Sequence, residues 1–170
     1  MKKGIVLLLT VALILGCTAK HGIEHGNVSV ELKILKSYSP MKVERGIAPS
    51  IGEINAKTIR LESKEVRIKP GETVVVKGWL TSKPYYINGK RYYYCGNVTL
   101  EVYEAKYIVG SWSRVSEGLG RRLCSTKTFL PPNATVPFEL EITGQGKVTL
   151  LIVAEGEWWR SWAFLNVTVG

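Results

Sequence analysis

The sequence predicts an all-β protein, an antiparallel two-sheet sandwich preceded by a short N-terminal signal helix. Three observations predict it. Apolar and polar residues alternate over seven or more short segments, Gly- and Pro-rich turns separate those segments at sandwich-like spacing, and no helical period persists beyond the leader. At 170 residues the chain holds one domain comfortably, with enough aliphatic and aromatic residues for a real core.

The chain opens MKKGIVLLLTVALILGC, with two lysines, an apolar run over residues 5–15, then Gly16 and Cys17. That is the order of a secretory signal, and the run falls short of the roughly 20 apolar residues that a spanning helix needs. LILGC resembles the lipobox of bacterial and archaeal lipoproteins, with Gly16 at −1 and Cys17 at +1. The resemblance implies removal of residues 1–16, lipidation of Cys17, and a membrane anchor on the outer face of the cell. KKGI also resembles the class III signal of archaeal pilins, which is cut after a glycine, here Gly4. The apolar segment would then remain as an assembly helix, although Gly16, Gly22 and Gly26 interrupt it. The lipoprotein reading is therefore preferred. Residues 17–26 read as a flexible tether that would hold the domain roughly 17–19 Å from its anchor.

From residue 27 the pattern is β. NVSVELKIL alternates Val28, Val30, Leu32 and Ile34 against polar neighbours. Residues 37–57, with Pro40, Gly46, Pro49 and Gly52, read as a long connection. Strands are then expected near residues 66–68 and 73–80, joined by a turn at Lys69-Pro70-Gly71-Glu72. NVTLEVYEA points Val98, Leu100 and Val102 inward. STKTFL follows and ends at Pro131-Pro132. VPFELEI, a TGQGK turn, VTLLIVAE and SWAFLNVTV complete the set. IKPGETVVVKGWL, VPFELEI and the GKVTLLIVAEG…NVTV ending resemble the Ig-like β-sandwich domains repeated on prokaryotic surface proteins. The likeness spans about residues 60–170 of a domain set at 27–170, and it implies a fold, with no shared catalytic residues.

Two aromatic groups are the binding candidates. In YYINGKRYYYC, Asn88-Gly89 predicts a type I′ hairpin pairing Ile87 with Lys90, Tyr86 with Arg91 and Tyr85 with Tyr92. Alternation from Val98 backward turns Tyr92 and Tyr94 inward and Cys95 outward, unless a bulge at Gly96 reverses the register. In EWWRSW, Trp158, Trp159 and Trp162 with Arg160 either expose rings for sugar stacking or pack beneath the long connection.

Four of the six asparagines, Asn27, Asn97, Asn133 and Asn166, head N-x-[ST] sequons, an enrichment that points outside the cytoplasm and makes them glycosylation candidates. With Cys17 lipidated, Cys95 and Cys124 are left to form one disulfide, which would contribute about 3.6 kcal/mol. No aspartate occurs, and both histidines, His21 and His25, lie in the tether. Asp-based triads, aspartic dyads and His-activated nucleophiles in the body are thereby excluded. No metal site or cofactor is expected, and the net charge of +9 is scattered rather than grouped as a nucleic-acid footprint. The expectation is a non-enzymatic, lipid-anchored binding module that meets a protein or glycan partner. A filament subunit and an accessory lipoprotein of an envelope complex are the alternatives.

Overall fold

A computed structural model describes residues 26–46, 55–106 and 118–170, together with the backbone of Thr18–Ala19. The signal helix, Cys17, His21 and His25 lie outside the described residues. Among those described, the elements are all strands: β1 Thr18–Ala19, β2 Asn27–Ile34, β3 Ile59–Leu61, β4 Glu65–Ile68, β5 Val74–Thr81, β6 Pro84–Ile87, β7 Lys90–Tyr93, β8 Gly96–Ala105, β9 Leu119–Leu130, β10 Thr135–Glu155 and β11 Arg160–Val169. Nine form one mixed sheet, and β6 and β7 form a separate two-stranded one.

The 21-residue strand β10 organises the large sheet. Its first half pairs with β2 on one side and β5 on the other, and its second half pairs with β11 and β8. Strands β1 and β3 extend the first half, and β9 and β4 the second. Alternate residues of both halves enter one continuous core: Val30, Val76, Phe138 and Leu140 from the first, Leu100, Ile152, Leu165 and Val167 from the second. The period-2 pattern produces this directly, since a strand with one face on the core buries every second side chain.

Three expectations change. The TGQGK segment is no turn between two strands but a bend inside β10, where Gly146 has φ 79° and a Cβ on Gly144 would sit 2.1 Å from the Asn27 carbonyl oxygen. Only glycine lets β2 approach that closely. Second, the pairing is not antiparallel throughout. The Pro70-Gly71 turn sends the chain from one half of the sheet to the other, so β4 forms no hairpin with β5. It pairs instead with β11 in parallel, from Asn166–Glu65 to Val169–Ile68. Third, residues 17–26 are not wholly a flexible tether, because Thr18 and Ala19 pair with Ser29 and Val28.

The pairings define two ends of the domain. At one end lie the β6–β7 hairpin, the Gly96–Leu130 pair and the Glu155–Arg160 pair. At the other lie Gly26, whose N–H donates to the Lys147 carbonyl at 3.1 Å, the bend in β10, and the close of β11 against β4.

Candidate functional site

The hairpin has the expected register: Tyr85–Tyr92, Tyr86–Arg91 and Ile87–Lys90 are paired, with Asn88 and Gly89 at φ 50° and 78°. A two-residue loop with positive φ at both positions matches the strand twist, which is why Asn-Gly fixes the register locally. The tyrosines divide by role. Tyr85 stacks between Tyr92 and Tyr94, with centroids 5.7 and 4.6 Å away, and Tyr94 meets Trp159 edge-on at 6.2 Å. Tyr86 points the other way and is 60 % exposed, with the Arg91 guanidinium 5.9 Å from its ring centre. Lys90 lies over Tyr92 and is ion-paired with Glu44. The Glu44 hydrogen bond, more than its charge alone, holds the Lys90 ammonium above the ordinary lysine range.

The stack rests on the second aromatic group, but not as exposed rings. Trp158, Trp159 and Trp162 are all buried, the packed one of the two outcomes left open, so as binding candidates they offer no ring for sugar stacking. Trp158 donates from Nε1 to the Tyr85 hydroxyl at 3.1 Å, and Trp159 donates to the Cys95 carbonyl at 3.0 Å. The connection after β2 covers this pair, with Arg45 5.5 Å from the Trp158 ring centre. Trp162 joins Leu151 and Val153 in a separate small cluster, and its carbonyl accepts from Asn55 Nδ2. Arg160 is bound to Glu155 at 2.8 Å. Of the eight candidate residues, then, Tyr86 and Arg91 form the outward surface, Tyr85 and Tyr92 the supporting stack, and Trp158 and Trp159 its foundation. Lys90, Glu44 and Arg45 complete the site. Arg45 lies 113 residues from Trp158, so no local sequence signal connects the two.

Gly96, at φ 105°, turns the chain so that Cys95 faces the core and is 1 % exposed. Burial, with a smaller contribution from Glu157, pushes its thiol up to about 11, so it stays protonated and unreactive at neutral pH. No disulfide joins Cys95 to Cys124, which corrects that expectation. Gly96 pairs with Leu130 and Cys124 with Val102, so the sulfurs are separated by roughly 20 Å of ladder, far beyond bridging distance. The asparagines of all four sequons are exposed. Asn27, Asn97 and Asn166 stand on strands, Asn133 in the turn between β9 and β10.

No protein-family model matches the chain, and neither does any curated protein sequence. Among solved structures, it is similar to the sulfur carrier protein SoxY from Chlorobium limicola f thiosulfatophilum. That likeness has 12% identity and a TM-score of 0.36, over 69% of this chain and 83% of the other. It is also similar to AvmM, which catalyses macrocyclization in alchivemycin A biosynthesis, with 11% identity and a TM-score of 0.40 over 69% and 91%. Likenesses at these scores carry no argument about fold or activity.

Proposed function

We propose that this chain is a non-enzymatic, lipid-anchored protein of the outer cell surface, whose Ig-like β-sandwich presents the hairpin end to a protein or glycan partner. The observation that carries the binding part is the exposed Tyr86–Arg91 pair on a hairpin whose Tyr85 and adjoining Tyr94 are held by Trp158 and Trp159. Pre-organisation of this kind removes the ordering cost of binding, and Tyr and Arg are the side chains that most often dominate interfaces. The lipobox-like leader and the exposure of all four sequon asparagines support the external location. A body without histidine or aspartate, and with a buried, protonated Cys95, supports a role without catalysis.

The test is retention on the native cell envelope. The double variant Tyr86→Ala/Arg91→Ala should lose at least about tenfold in retention with an unchanged melting temperature, because both side chains lie on the surface. Undiminished retention would remove the hairpin from the binding surface.

A further inference from the structure

We propose that a second site, at the end opposite the hairpin, takes the phosphate of anionic lipid headgroups. The proposal rests on the lipid-anchor reading for the source of its ligand. A cavity of about 760 Å³ opens there, walled by β4, the end of β8, the start of β9, β10 and β11. Four cations from four separate segments line it: Arg67, Lys106, Arg121 and Lys147. All four are exposed, and no ion pair among the described residues engages any of them. They outnumber the two carboxylates of the wall, Glu65 and the buried Glu104. Thr149 and Thr168 add hydroxyls to the lining.

Four cations around one cleft, two of them forked guanidiniums, with threonine hydroxyls beside them, suit a phosphate group. Position selects the lipid. The Lys147 carbonyl accepts from Gly26, the residue where the described body begins, and Thr18 is held beside Ser29 in the same part of the sheet. Cys17 is the next residue toward the N-terminus, so an acylated Cys17 would bring the bilayer to this end of the domain. The cleft then faces headgroups while the hairpin faces outward. Near an anionic surface each cation contributes roughly fivefold in partitioning.

The test uses the full chain carrying Cys17→Ser, which holds no acyl group. It is mixed with vesicles of phosphatidylcholine, alone or with one-third phosphatidylglycerol. The apolar leader partitions into both, so the ratio between them reads charge. The chain should prefer the anionic vesicles at least about a hundredfold at low salt, and Arg67→Gln/Arg121→Gln should lower that preference roughly twentyfold without changing the melting temperature. Arg91→Gln at the other end should leave it unchanged. Equal binding to both vesicles overturns the proposal, and so does an equal loss from Arg91→Gln. A soluble arm uses inorganic phosphate and glycerol 3-phosphate. If they perturb the cleft while vesicle preference is absent, the ligand is a free phosphate and the lipid source is wrong. A vesicle preference together with unacylated Cys17 in the native protein keeps the cleft and sinks the anchor, and the opposite pair of results does the reverse. Finally, Asn166 lines this cleft, where a glycan would fill it. Glycopeptide mapping should find Asn166 bare, and an occupied Asn166 also overturns the proposal.

Discussion

Trp159→Ala is expected to destabilise the protein by about 3–5 kcal/mol, a fall of roughly 10 °C or more in melting temperature. The indole is 2 % exposed and sits where the Glu155–Arg160 turn, the start of β8 and the hairpin meet. Its packing is tight enough that a Cβ on Gly156 would lie 2.3 Å from the ring. Truncation leaves a cavity and strips the Cys95 carbonyl of its 3.0 Å donor. A buried carbonyl left without a partner adds a further penalty of about 1–3 kcal/mol within that total. The backbone around the site is held by the Gly156 N–H to Trp159 carbonyl bond of 2.9 Å, so collapse into the void is limited. Trp159→Phe, which keeps most of the volume but not the N–H, should lose roughly half as much. Urea denaturation of the three proteins measures this. Amide exchange should quicken in β6 and β7 alongside, because the Tyr94 contact that ties the tyrosine stack to the core goes with the ring.

The second large effect lies at the bend. Gly144→Val should cost more than about 3 kcal/mol, and it is the substitution most able to prevent folding altogether. The added Cβ would meet the Asn27 carbonyl oxygen at 2.1 Å and the Val28 Cα at 2.7 Å. Both are backbone atoms of β2, so no rotamer change relieves them, and β2 must leave the sheet. Gly71→Ala is the useful contrast. Nothing lies within 4 Å of its Cβ, and the only penalty is the φ of 80°, about 1–2 kcal/mol. Comparable losses at the two positions, measured by thermal or denaturant unfolding, would mean that the close approach of β2 to β10 is not what the glycine serves.

Legibility in the sequence follows the range of the interaction. The β6–β7 register was readable because a two-residue Asn-Gly loop fixes it within eight residues, and the strands were readable because alternation is a local property. Non-local choices were not. The parallel pairing of β4 with β11 joins residues about a hundred positions apart, and nothing in EVRI or NVTV specifies direction. Glycines at 144 and 146 were misread as a turn because flexibility and close approach leave the same residue in the sequence. Counting cysteines suggested a bridge that the β8–β9 register forbids. The tryptophans left two outcomes open, since a ring that grips a ligand and one that supports a hairpin look alike until burial is known. In the cleft, Arg67, Lys106, Arg121 and Lys147 are spread over 81 positions, which is why these four cations read as scattered in the sequence and line one cleft only in the fold.

The most direct measurement is the intact mass of the protein isolated from its native membrane. The account predicts a chain beginning at Cys17, heavier than its sequence by the mass of an attached lipid and of any glycans on its asparagines. A chain that still begins at Met1, or begins at Ile5, with an unmodified Cys17 and bare sequons, would contradict it.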